Sequence, residues 1–261
     1  MNRKNKEIDL KSRDLKGFSS ENAGFLEKLN YKNKSLKYVI KGILEEEKLE
    51  LVMHFPHSSL DVPESFWNDV DITKDYFNKI NLKMSDVLLL DLFSDWDFKK
   101  IIASYSRLYV DVEKYWDEEK ESMSRYGMGA IYTKDLYGNK LHKKTSTFVK
   151  EAKSYYERYH EELSKACNSE NDILLLDIHS FNKEIVSIFS KSSSLPDICI
   201  GVNNDHSYNK GIVDRIIKWC NANNISYALN YPYSGAMYPN KTNKKNKIYS
   251  IMLEFNKSFY L

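Results

Sequence analysis

Two histidines occupy equivalent places in the chain. His57 follows the apolar run Leu49 to Phe55, and His179 follows Asp172 to Ile178, whose Ile173-Leu174-Leu175-Leu176 stretch reads as a buried strand. Both therefore stand at carboxyl ends of strands, the rim at which open α/β sheets bind ligands, so imidazoles distant in sequence can converge on one ion. A catalytic zinc needs three protein ligands and one position left open for water. Two acids compete for the third place: Asp61, in the loop that carries His57, and Asp86, in the first turn of a helix expected from an N-cap at Ser85 through Phe93. A first-turn acid also offsets the helix dipole with no ligand present.

Glu254 interrupts Ile248 to Phe255, a segment that otherwise reads as a buried strand. A carboxylate in such a run is costly unless it is paired, bound to metal or poised for proton transfer, and the last reading makes Glu254 a general base. Arginine is scarce, six residues against 33 lysines, so Arg107 in a structured segment is informative. Its planar fork suits a substrate carboxylate or a developing oxyanion, and an ion pair with Asp111 is the plainer use.

These side chains need a scaffold. From Lys37 onward, short Val/Ile-rich runs alternate with longer helical patterns, the signature of an α/β fold with a mainly parallel or mixed central sheet and helices on both faces. Strands are expected at Lys37 to Ile40, Leu49 to Phe55, Lys100 to Ser104, Leu108 to Val112, Asp172 to Ile178, Ile198 to Val202, Tyr227 to Asn230 and Tyr249 to Phe255. Helices are expected at Thr147 to Ala166 and Tyr208 to Asn221. Residues 1–36 read as a polar extension with one short helix near Ser20 to Leu29, and residues 37–261 as a single catalytic domain.

Composition narrows the function classes. With 39 Lys+Arg against 37 Asp+Glu, the positive charge is dispersed, which argues against nucleic acid as partner. The Asn/Lys-rich run Lys241 to Lys247 reads as a solvated loop. Three unpatterned cysteines support neither a disulfide framework nor a cysteine zinc site. A charged start without an apolar core, and no apolar run of spanning length, point to a cytoplasmic protein with no membrane partner. A small-molecule substrate is the expected partner, and oligomeric state is not legible.

Several segments in one order resemble the N-formylglutamate amidohydrolase family, whose fold is similar to that of zinc exopeptidases. Phe55-Pro-His-Ser-Ser59 resembles its P-H-S-G, Met84-Ser-Asp86 its M-T-D, and Ser106 to Lys114 its S-R-x-x-x-D-V-E-R. Glu121-Ser-Met123 with Gly127 to Tyr132, Leu176 to Ser180, Pro196 to Gly201, Asn230 to Gly235, and Ile251 to Asn256 near Tyr260 continue the series. Ser59 stands where glycine is usual, and Lys114 where many members carry arginine. His160 matches a Tyr-His that members often carry, yet a long helix is an ordinary place for a packing histidine.

The resemblance implies one zinc ion held by His57, Asp86 and His179, which favours Asp86 over Asp61, with Glu254 as the base. Arg107, Asp111 and Asn230 are the expected substrate contacts. It implies cleavage of an N-acyl amino acid, N-formylglutamate to formate and glutamate in the named case. The rival readings are the same hydrolysis on another N-acyl amino acid, small peptide or cell-wall fragment, and a non-catalytic metal or small-molecule binding protein. His54, His142 and His206 receive no role.

Overall fold

Among the described residues, six strands carry the apolar runs: β1 (Leu49–Phe55), β2 (Lys99–Ile102), β3 (Asp172–Phe181), β4 (Ile198–Val202), β5 (Tyr227–Leu229) and β6 (Ile248–Asn256). They lie side by side in the order β2-β1-β3-β6-β4-β5. All pairs are parallel except β4 with β6, so the sheet is mixed and mostly parallel, as the sequence pattern predicts. The helices are α1 (Glu21–Glu47), α2 (Lys74–Met84), α3 (Leu89–Leu92), α4 (Ser146–Ala166), α5 (Lys183–Val186) and α6 (Lys210–Ala222). The computed structural model describes residues 21–187, 194–242 and 245–259. Most of the polar extension, Tyr260 and part of the Lys241 to Lys247 run fall outside the described residues. Among the described residues, no helix is long and apolar enough to cross a membrane.

Strand periodicity divides the sheet's two faces. Leu51 and Met53 of β1, Leu174, Leu176 and Ile178 of β3, and Ile251 and Leu253 of β6 pack with α1 and α6 in one core. Val52, Ile173, Leu175 and Ile248 face the other way, against Leu163 and Ala166 of α4. Continuing that second face toward the strands' carboxyl ends gives His54 on β1, Asp177 and His179 on β3, and Glu254 on β6. Parallel pairing sets His54 opposite Asp177 and His179 opposite Glu254. The α4 face thus begins as an apolar core and ends as a polar rim.

Three sequence expectations fail for local reasons. Lys37 to Ile40 is not a strand: it lies within α1, where Leu36, Ile40 and Ile43 recur at helical spacing and are buried, while Tyr38 is 75% exposed. Leu108 to Val112 is apolar but forms turns, with Tyr109 and Val110 N–H groups donating to Ser106 O; its side chains fill a second core with Phe66, Phe77 and Phe148. Ser85 is not an N-cap. It closes the C-terminus of α2 by donating to Asn81 O, and Leu88 at φ 65° limits the next helix to α3.

Candidate active site

The failed helix explains where Asp86 goes. Leaving α2 in extended backbone, the chain is caught by an Asp86 N–H bond to His57 O (2.8 Å), which ties the Asp86 turn to the His57 loop. Asp86 Oδ2 then lies 3.7 Å from His57 Nδ1 and 3.3 Å from His179 Nδ1. The two rings are 5.0 Å apart between centroids, and all three side chains are buried. Ser180 Oγ donates to the other Asp86 oxygen at 2.8 Å.

Each imidazole is held from behind by a carboxylate. His57 Nε2 is 2.8 Å from Asp111 Oδ1, and His179 Nε2 is 2.9 Å from Asp177 Oδ1 and 3.0 Å from Glu113 Oε1. A carboxylate accepts, so each Nε2 donates its proton to the group behind it and each Nδ1 faces Asp86 Oδ2. Asp111 is itself fixed by Arg107, whose Nη2 and Nε donate to Oδ2 at 2.7 and 3.2 Å, and by the Tyr132 hydroxyl at 3.2 Å.

Charge follows the same plan. Burial opposes ionisation of Asp86, but the facing imidazoles and Lys257 bring it down to about 2. Asp111 is likewise opposed by burial and held well below the usual carboxylate range by Arg107 and His57. His179 is raised well above an ordinary imidazole although burial works against it, because Glu113 and Asp177 favour a positive charge there. Glu254 goes the other way: burial, with Asp86 and Glu113 adding to it against His179, pushes it up to about 8.

Among the described residues, two acid and histidine clusters have ligand atoms close enough for an ion: His57, Asp86 and His179; and His54, Glu113, Asp177 and His179. They share His179, and their hydrogen bonding separates them. In the second, Asp177 Oδ1 already accepts from His54 Nδ1 (2.7 Å) and His179 Nε2. In the first, among the described residues, His57 Nδ1 and Asp86 Oδ2 are buried without a hydrogen-bond partner, as is Glu254 Oε2 nearby in β6. Buried polar atoms are costly unless satisfied, and two imidazole nitrogens with one carboxylate oxygen form a borderline donor set suited to zinc. The first cluster therefore fits a divalent ion with His57, Asp86 and His179 as its holders.

Residues 49–261 match the family described as FGase: N-formylglutamate amidohydrolase. The chain belongs to the N-formylglutamate amidohydrolase family. Its members are hydrolases acting on amide bonds, so the buried cluster is a candidate active site. A crystal structure of N-formylglutamate amidohydrolase from Ralstonia eutropha JMP134 has a similar fold, with TM-score 0.67 and 17% identity over 80% of this chain and 82% of that one. A comparison with curated proteins found no match.

The remaining candidate residues separate in space. Asp61 is exposed and belongs to neither cluster; its carbonyl accepts from Ser106 N–H. Arg107, with 17% of its side chain exposed, also makes a long Nη1 contact to Met84 O (3.4 Å) and lies over the Tyr132 ring at 5.8 Å. Asp111 has no exposed surface and sits behind His57. Asn230, at φ 52°, uses its Oδ1 to accept from Val202 N–H (2.8 Å) and Gly235 N–H (3.2 Å), bracing the loop after β5. His160 packs on Tyr156, ring centroids 4.3 Å apart, and belongs to neither cluster.

Sequence reasoning missed four residues: His54, Asp177, Glu113 and Lys257. Buried Lys257, directly after β6, donates Nζ to Ser85 O at 2.6 Å and Lys83 O at 2.9 Å. It thus caps the carboxyl end of α2 beside Asp86, and burial lowers its pKa. The available signal for His54 and Asp177 was a polar residue at alternate positions near the ends of β1 and β3.

Proposed function

We propose that the protein hydrolyses the amide bond of a small N-acyl amino acid, with N-formylglutamate the first substrate to test, using one zinc ion held by His57 Nδ1, Asp86 Oδ2 and His179 Nδ1. The observation that carries this reading is the convergence of buried, unpartnered His57 Nδ1 and Asp86 Oδ2, with Glu254 on the strand position paired with His179. A zinc ion so placed supplies a Lewis acid for the amide carbonyl and lowers the pKa of water toward about 7.

The chain's own residues do the rest. Among the described residues Glu254 Oε2 has no hydrogen-bond partner, and burial raises its pKa toward the range in which a carboxyl group exchanges protons near neutrality. It takes a proton from the attacking water and gives it to the departing nitrogen, which leaves as an amine while the acyl group leaves as a carboxylic acid. Asp111 and Asp177 hold the imidazoles in the tautomer that presents Nδ1. Arg107 contributes positive charge and the lightly engaged Nη1 to a substrate carboxylate, while its Nε and Nη2 stay on Asp111. Asn230 acts at one remove, by holding the Tyr231 to Gly235 loop.

The test is release of free amine from N-formyl, N-acetyl and N-succinyl amino acids by zinc-loaded and chelator-treated protein. Zinc-dependent cleavage with a preference for N-formylglutamate supports the reading. Activity confined to larger peptides would move the substrate assignment, and the absence of amidase activity in protein shown to hold one zinc would leave a binding protein.

A further inference from the structure

We propose that His54 is a positioning residue for the zinc ligand His179, acting through Asp177; this rests on the zinc site proposed above. His54 is fully buried in β1, in a run whose other inward residues are apolar. Among the described residues its Nε2 has no hydrogen-bond partner, so Nδ1 is the atom through which the ring justifies its burial. Nδ1 donates to Asp177 Oδ1 at 2.7 Å, and the same oxygen accepts His179 Nε2 at 2.9 Å. The other Asp177 oxygen accepts Met237 N–H at 2.9 Å.

Three groups from three parts of the chain therefore fix one carboxylate. An aspartate's terminal torsion is broad, and without His54 each Asp177 oxygen would be held by one bond, Oδ1 by His179 and Oδ2 by Met237 N–H. The parallel register that sets His54 beside Asp177 supplies the second anchor on the oxygen that matters. The Tyr159 ring, 5.7 Å from the His54 ring, closes the space on the α4 side. Glu113, 20% exposed, reaches both His179 Nε2 (3.0 Å) and His54 Nδ1 (3.9 Å). It offers His179 a second acceptor in a different direction. Loss of His54 lets His179 turn from Asp177 toward Glu113, which tilts Nδ1 away from Asp86 and weakens the metal site without abolishing it.

The decisive comparison uses full-length protein and zinc affinity measured by chelator competition, with the visible spectrum of the cobalt-substituted protein as a record of ligand geometry. Partners of a ligating histidine typically contribute 10–100-fold in metal affinity, so Asp177→Asn is expected to weaken zinc by about that factor and His54→Leu by about tenfold. His54→Asn places a donor near the Nδ1 position and is expected to bind within about threefold of the parent. His54→Gln places its donor near the Nε2 position and should behave like His54→Leu, which keeps the test available if the leucine variant fails to fold. Adding His54→Leu to Asp177→Asn should change affinity no further.

Parent-like binding by His54→Leu, equal losses in His54→Asn and His54→Gln, or additive losses in the double variant would each overturn the inference. Two zinc equivalents in the parent, one of them lost in His54→Asn, would overturn it in favour of direct ligation by His54. A parent that binds no zinc is a different failure, that of the zinc site itself.

Discussion

Replacing Glu254 by glutamine should make the protein more stable and far less active. The carboxyl group is buried, and its pKa stands at about 8 against an ordinary 4.5. A raised acid pKa means that folding favours the protonated form, so its contribution is whole below pH 4.5 and is lost as pH rises through about 8. At 1.36 kcal/mol per pKa unit, that loss is on the order of 4 kcal/mol by pH 8. Glutamine keeps the shape and cannot ionise. Chelator-treated Glu254→Gln protein should therefore melt roughly 8–16 °C above the parent at pH 8 and close to it at pH 5, taking 2–4 °C per kcal/mol for a chain of this size. In the zinc-loaded form the same change should lower kcat by about 10²–10⁴, the usual worth of a positioned general base. Calorimetry at the two pH values and a turnover assay at pH 7.5 measure both effects. The reasoning is refuted if Glu254→Gln melts below the parent at pH 8, or if it retains more than about a tenth of the parent kcat.

Two further substitutions test the supports of the ligands. Asp111→Asn removes the charge that holds His57 and leaves Arg107 without its partner; zinc affinity should fall about 10–100-fold and stability by about 3–5 kcal/mol, read by chelator competition and denaturant unfolding. Lys257→Met removes the donor to the Ser85 carbonyl beside Asp86 and leaves the Lys83 carbonyl with Asn182 Nδ2 alone; a loss of about 1–3 kcal/mol is expected, together with weaker zinc binding, and unchanged zinc affinity would detach Lys257 from the site.

The parts of this molecule governed by short-range pattern were legible in the chain. Leu49–Phe55 and Ile198–Val202 occupy the expected strands, and the strands at Asp172 and Tyr249 differ only at their ends, because runs of Val, Ile and Leu buried on both faces resemble little else. The errors arose where tertiary contacts set the local conformation. Val39 and Ile40 are good strand residues recruited into a helix whose burial spacing extends beyond the short window, and Leu108 to Val112 folds into turns because Asp111 must reach behind His57. The Asp86 turn depends on a bond to His57 O and a cap from Lys257 far away in sequence, neither visible in the residues around Ser85.

For the site, residue type and strand-end position singled out His57, His179 and Glu254, while the choice between Asp61 and Asp86 stayed open until the resemblance was considered. The carboxylates behind the rings were harder to see. Asp177 and Glu113 lie within the family-like segments, but their use depends on strand register and on which ring nitrogen faces inward. Of the two uses the sequence offers for Arg107, the ion pair with Asp111 is the one present in the fold, through Nε and Nη2; an i,i+4 pair in turns carries no periodic signature that would favour it beforehand.

Zinc anomalous scattering from crystals of the zinc-loaded protein addresses the central claim most directly. The account predicts one peak, about 2.0–2.2 Å from each of His57 Nδ1, His179 Nδ1 and Asp86 Oδ2. A peak enclosed by His54, Glu113, Asp177 and the Nε2 side of His179, or no peak between His57 and His179, would contradict it.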